Sequence, residues 1–245
     1  MLAYDVAGDG PPLLLIHAGV ADARMWAPLT ERLRGRFRTI APDLPGFGRT
    51  PPSRPFDPAG ELIALLDELG VARTAVAGAS FGGWVAMELA TRAPARVGAL
   101  ALLPTAAPGH EPSPALADFD AAEAAALAAG DVERAITLNV ETWVRDPAIA
   151  PLVADMARIV VGHQLEAGDE DEDGGPELAP ERFAMPVLLV DGGRDLPDFA
   201  AIADRLADVI PGARRATVPD AGHLVALERP DAVAKLLTGF LREAN

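Results

Sequence analysis

Short apolar runs alternate with helical stripes along most of this chain. Residues 2–6 alternate weakly and stop at Ala7-Gly8-Asp9-Gly10-Pro11-Pro12, which reads as an edge strand closed by a turn. Leu13-Leu14-Leu15-Ile16-His17 follows, apolar up to the histidine, as in a strand buried on both faces of a parallel sheet. Met25, Trp26, Leu29 and Leu33 then recur at helical spacing, and residues 37–41 make the next strand. After a Pro- and Gly-dense loop at 42–55, Leu62, Ile63, Leu65, Leu66 and Leu69 mark a helix that Gly70 ends. A strand at 74–79 leads through Gly78-Ala79-Ser80-Phe81-Gly82 into a helix carrying Trp84, Val85, Met87 and Leu89, and residues 97–103 form another apolar strand.

From residue 104 to about 182 the rhythm breaks. Three helical patterns, at roughly 114–129, 131–144 and 151–165, precede an acidic tract, and no strand pattern occurs among them. Alternation resumes with a strand at 186–190, a helix at 199–210, a strand at 214–218 and a helix at 232–241. The expected fold is therefore α/β: a mostly parallel, doubly wound sheet formed by residues 1–104 and 183–245, with a helical cap, or lid, inserted at 105–182. In such folds ligands sit at the carboxyl ends of the strands.

Composition narrows the partners. With 36 acidic against 21 basic residues, a formal charge of −15 argues against nucleic acid and against an anionic membrane surface. No cysteine is present, so disulfides, thiolate metal sites and a cysteine nucleophile are excluded. The first apolar run, 13–16, is too short for a signal sequence or a membrane span, and a cytoplasmic protein is the expectation. Monomer and homodimer both fit. Asp169-Glu170-Asp171-Glu172-Asp173-Gly174 begins like a calcium loop, but the position that should close it with a bidentate glutamate is Pro180; a solvated loop is expected, and no metal.

The chemistry centres on Ser80. G-x-S-x-G on a strand-to-helix turn lifts the serine hydroxyl off the sheet, while the glycines let strand and helix pass without collision. At a helix start, unpaired N–H groups and the positive end of the helix dipole face whatever the hydroxyl attacks. A serine hydroxyl needs a base, and the base needs an orienting group. Of the four histidines, His17 ends an early strand and His110 and His163 belong to the insertion. Only His223, in Pro219-Asp220-Ala221-Gly222-His223, lies on a loop after a late core strand. For the carboxylate, the turn Asp191-Gly192-Gly193-Arg194-Asp195-Leu196-Pro197-Asp198 offers Asp195 beyond the strand and before the helix. Asp191 reads as a strand-end residue, and Asp198 as a partner of the helix dipole in a first turn.

The order Ser80, Asp195, His223, with His17-Ala18-Gly19, Asp43-Leu44-Pro45-Gly46-Phe47-Gly48, Gly192-Gly193-Arg194-Asp195 and Ala221-Gly222-His223 followed by Glu228-Arg229-Pro230, resembles the small cap-bearing α/β-hydrolases of the esterase, enol-lactonase and proline-iminopeptidase-like group. Two positions depart from the family pattern: Ala18 stands where a glycine is usual after the histidine, and Thr50 where a serine is usual. The resemblance implies a serine hydrolase acting on a carboxylic ester or lactone of a small, largely apolar substrate, without cofactor. It further implies an oxyanion hole made by the N–H of Phe81 and that of Gly19 or Val20, with His17 as a structural brace. Val20 and Trp143, the latter in the insertion, are the expected substrate-binding residues. Carbon–carbon bond hydrolysis, acyl transfer and perhydrolysis use the same triad, and a non-catalytic small-molecule receptor is the reading from another class.

Overall fold

The computed structural model describes residues 1–167 and 178–244. The acidic tract 169–174 lies outside the described residues. Among the described residues seven strands form one sheet: β1 (Tyr4–Ala7), β2 (Pro12–Ile16), β3 (Arg38–Pro42), β4 (Thr74–Ser80), β5 (Val97–Thr105), β6 (Val187–Gly192) and β7 (Arg214–Val218), in the order β1-β3-β2-β4-β5-β6-β7. Among the described residues only the β1–β3 pair is antiparallel. The chain moves outward from β2 to β3 and then returns to β4, so the strand order reverses between β2 and β4. Ligand crevices of open α/β sheets form at such a reversal.

Before β5 stand the helices α1 (Ala27–Leu33), α2 (Pro58–Glu68) and α3 (Phe81–Arg92). Between β5 and β6 stand α4 (Pro114–Ala128), α5 (Val132–Trp143) and α6 (Ala150–Ala167), and no strand among the described residues. The chain closes with α7 (Pro197–Val209), α8 (Val225–Glu228) and α9 (Pro230–Glu243).

Strand periodicity of two sorts side chains onto opposite faces. Leu14, Ile16, Val76, Leu100, Leu102 and Leu189 pack with Leu62, Leu66, Val85, Leu89 and Ile202 of α2, α3 and α7. Leu13, Leu15, Ala77, Ala101, Leu103 and Leu188 meet Leu29, Leu33, Leu227, Val233 and Leu237 of α1, α8 and α9 on the other face. The inserted helices join both clusters: Leu138, Trp143, Val160 and Val161 pack with the first, Val153 and Met156 with the second. The insertion therefore packs with both layers.

Several element ends differ from the periodicity by one or two residues, β6 among them, which runs to Gly192. β5 runs on to Thr105, two residues beyond the expected end, because a register shift carries it past Pro104: Ala79 faces Leu103 and Ser80 faces Thr105. A proline that cannot donate to the ladder is accommodated at such an irregularity. The buried helix α8 is four residues long, too short to show a helical period.

Candidate active site

β4 ends at Ser80 in a turn that passes directly into a helix. Ser80 has φ 53° and ψ −119°, the one positive φ outside glycine among the described residues, and it is immediately followed by α3. A β-carbon disfavours this conformation at a cost of about 1–3 kcal/mol, so the surroundings must hold it. They do so by close backbone approach. A Cβ on Gly78 would lie 2.2 Å from the Gly82 carbonyl oxygen, and one on Gly82 would lie 2.3 Å from that of His17 and 2.4 Å from that of Ile16. The end of β2, the end of β4 and the start of α3 are thus in backbone contact.

Beside this turn, Ala21 N–H bonds Ala18 O at 3.0 Å and leaves Gly19 and Val20 at the tip, both half-buried. Among the described residues no protein acceptor takes the N–H of Gly19, Val20 or Phe81. Gly19 faces Phe81: a Cβ there would sit 3.3 Å from the Phe81 Cβ. The tip is braced from below by His17, which is fully buried. Its Nε2 accepts the Leu44 N–H at 3.0 Å, so its proton is on Nδ1, 2.9 Å from Ala18 O. Burial holds the pKa of His17 below the ordinary histidine value and keeps the ring neutral. Phe47 packs on His17 at 4.8 Å, and Phe47, Phe81 and the exposed Phe56 form a near-parallel row with centroids 6.0 and 6.3 Å apart.

The loops after β6 and β7 carry the other two residues. Asp195 Oδ2 and His223 Nδ1 are 2.8 Å apart, with only 1% and 3% of their side chains exposed. The carboxylate can only accept, so Nδ1 carries the proton and Nε2 is left with its lone pair. Among the described residues no hydrogen bond joins the Ser80 hydroxyl to His223. Such bonds are often long without substrate and tighten in the Michaelis complex.

Aromatic rings enclose the imidazole. Phe199 of α7 lies 4.2 Å from it and Trp143 of α5 lies 4.5 Å, centroid to centroid. Trp143, expected from the sequence as a substrate wall, is buried against His223, Phe119 and Phe199. Its Nε1–H donates to Asn139 Oδ1 at 3.1 Å. Glu228, buried in α8, accepts the Gly222 N–H at 2.8 Å and the Arg145 N–H at 2.9 Å.

The two rival aspartates have structural partners. Asp191 spans β6 and β7 through Arg215 at 2.9 Å and Thr217 at 2.8 Å. Asp198 does occupy the first turn of α7, but it also bonds the insertion, accepting the Ser113 N–H at 2.7 Å and hydroxyl at 2.6 Å with His110 Nε2 at 2.8 Å. Burial alone would raise its pKa; the Ser113 and His110 hydrogen bonds favour the charged form and bring it down to about 2. His163, also in the insertion, reaches Gly46 O at 2.9 Å.

Sequence reasoning missed Phe199, Glu228, Arg145 and Asn139. Glu228 alone had a signal, its place in the Glu228-Arg229-Pro230 run, but no role followed from it.

Residues 13–236 match the alpha/beta hydrolase family. The chain is 30% identical over 255 residues to the pimeloyl-(acyl-carrier protein) methyl ester esterase of Aromatoleum aromaticum, covering 95% of this chain and 98% of that one. It is 29% identical over 258 residues to the dihydrolipoyllysine-residue acetyltransferase component of the acetoin cleaving system of Pseudomonas putida; the match covers 98% of this chain and 66% of that protein. Among solved structures, the enol-lactonase from Burkholderia xenovorans LB400 superposes with a TM-score of 0.82 at 26% identity, over 98% of this chain and 96% of that one. No described helix is long and apolar enough to cross a membrane. A glycine-framed serine turn at a sheet reversal, a family match over most of the chain and a full-length relative at this identity together establish that the chain belongs to the alpha/beta hydrolase family.

Proposed function

We propose that this protein is a serine hydrolase that cleaves a carboxylic ester or lactone of a small, largely apolar substrate through an acyl-enzyme on Ser80. The observation that carries the reading is the backbone of Ser80: a non-glycine residue held at φ 53° at a helix start, beside unpaired N–H groups. Strain of this kind, over-determined by its surroundings, belongs to functional sites.

In this mechanism His223 Nε2 takes the Ser80 proton as Oγ attacks the carbonyl carbon. The N–H groups of Phe81 and Gly19 hold the oxyanion, each worth about 3 kcal/mol in the transition state. As the tetrahedral intermediate collapses, the C–O bond to the alcohol breaks, and the imidazolium returns its proton to the departing oxygen. Water, deprotonated by the same nitrogen, then attacks the acyl carbon and frees Ser80. Asp195, bonded to Nδ1, keeps the tautomer and steadies the imidazolium.

Val20, Phe81, Phe47 and the exposed Phe56 favour an uncharged, apolar group next to the oxyanion site. On this reading residues 105–182 are the cap over a core of 1–104 and 183–245. Relatives named for methyl ester hydrolysis and enol-lactone hydrolysis support ester chemistry. The acetyltransferase relative admits an acceptor other than water at the second step.

A fluorophosphonate probe tests the reading. Wild-type protein should be labelled and Ser80→Ala should not, while His223→Ala should lower kcat on a simple aryl ester by at least about a thousandfold. A folded wild-type protein that resists labelling would point to a receptor, and full ester turnover by His223→Ala would remove the assigned base.

A further inference from the structure

We propose that the end of α5 is the positioning element of the catalytic base: Trp143 holds the His223 ring, and Arg145 ties together the loops that carry His223 and Asp195. The proposal rests on the reading of Ser80 as nucleophile and His223 as base.

One hydrogen bond does not fix an imidazole. The bond from Nδ1 to Asp195 pins one edge, but the ring can still rock about that contact and swing Nε2 away from Ser80. Trp143 and Phe199 oppose that motion, tilted 40° and 54° against the imidazole at 4.5 and 4.2 Å. Phe199 comes from the core helix α7, whereas Trp143 comes from the insertion. The indole is itself locked. Asn139, one turn back, accepts from its Nε1, and Asn139 Nδ2 donates to Ala135 O at 3.0 Å and to Glu123. Phe119 of α4 closes the far side edge-on at 4.8 Å.

Two residues beyond Trp143, Arg145 reaches both catalytic loops. Its backbone N–H and that of Gly222, the residue before His223, share the buried carboxylate of Glu228. Its Nε donates at 3.0 Å to the carbonyl of Arg194, the residue before Asp195. Its stem covers Gly222 so closely that a Cβ there would come within 2.5 Å of Arg145 Cγ. A three-residue span thus touches the base, the residue before the base and the residue before the acid. Between these rings and Asp195, His223 is left only 4% exposed. Misplacing a catalytic group by about 1 Å costs on the order of a hundredfold, which sets the scale of what this span controls.

The test compares Trp143→Leu, Trp143→Phe, Arg145→Ala and His223→Ala in the full chain. Readouts are thermal melting, the rate of fluorophosphonate labelling, and kcat and KM on a short and a long acyl aryl ester. Trp143→Leu should lower kcat and the labelling rate by about ten- to a hundredfold on both esters, with KM little changed. Trp143→Phe should restore most of the loss, and Arg145→Ala should move in the same direction by less. A rise in KM confined to the long ester, with kcat and labelling kept, would make Trp143 a substrate wall and overturn the proposal. Should Trp143→Leu melt out, a folded Arg145→Ala with wild-type kcat and labelling overturns it as well. If His223→Ala labels at the wild-type rate, the failure lies deeper, in the base assignment itself.

Discussion

The two halves of the candidate site are built from different materials. At the reversal between β2 and β4, the backbone does the work: glycines without room for a Cβ, a strained φ at Ser80, and a neutral His17 bridging two loops by main-chain hydrogen bonds. Beyond β6 and β7, the Asp195–His223 pair is surrounded by side chains, with Trp143 and Arg145 from the insertion and Phe199 and Glu228 from the core helices α7 and α8. A backbone-built half can only be kept or broken. A half built from side chains can be retuned residue by residue, so changes in the inserted helices can reach His223 while leaving the Ser80 turn intact.

The largest effect should come from breaking the first half. In Gly82→Ala the new methyl would stand 2.3 and 2.4 Å from two backbone carbonyl oxygens, and no rotamer change can move either. Either β2 or the start of α3 must shift, which displaces Ser80 and Gly19 together. We expect more than about 3 kcal/mol of lost stability and a near-complete loss of fluorophosphonate labelling. Urea unfolding and labelling kinetics check both, and a stable, fully labelled variant would show that the turn is not set by backbone contact.

A smaller effect is expected where the insertion is fastened to α7 through Asp198. Asp198 has a pKa of about 2 in the fold against an ordinary 3.8. A depressed carboxylate pKa stabilises the fold at pH values above the unfolded pKa, and that contribution is lost as pH falls toward the folded one. The shift corresponds to about 2 kcal/mol at neutral pH. Asp198→Asn should therefore lose about that much at neutral pH, and the gap to wild type should narrow as pH drops from about 5 toward about 2. Urea midpoints across that range provide the measurement; a gap that does not change with pH would mean that the carboxylate charge is not what holds Ser113 and His110.

How much of this was legible in the sequence follows the same division. The Ser80 turn could be read because a turn is local: strand, glycines, serine and helix are contiguous, and each residue's steric role is contained in the string. Asp195 and His223 could be picked out because each lies on a loop after a late strand of the alternating strand–helix rhythm, the first strand marked by its apolar run and the second, Arg214–Val218, only by its place between two helical stripes. Trp143 was legible as apolar and helical, but not its neighbour, since periodicity tells which face of a helix is buried and not which side chain it meets. Arg145 gave less still, as an arginine past a helix end has a solvated ring of possible partners. Asp198 illustrates the limit: its first-turn position was readable, and its three bonds to residues 110 and 113 were not.

The smallest effect tests whether the backbone-built half tolerates a side-chain change that keeps its hydrogen bonds. Thr50, standing where the family usually has serine, is 4% exposed; its hydroxyl donates to Asp43 O at 2.8 Å and accepts the Ala3 N–H at 2.9 Å. The methyl group takes no part in either bond. Thr50→Ser should therefore preserve the loop that carries Leu44 to His17 and cost only the burial of one methyl, about 0.8 kcal/mol. Thr50→Val keeps the shape and deletes both bonds, leaving a buried carbonyl and an N–H without that partner, and should cost more than about 1 kcal/mol. Denaturant midpoints rank the two. If serine proved the costlier replacement, packing of the methyl would outweigh the hydroxyl, and this half of the site would depend on side-chain fit as the other does.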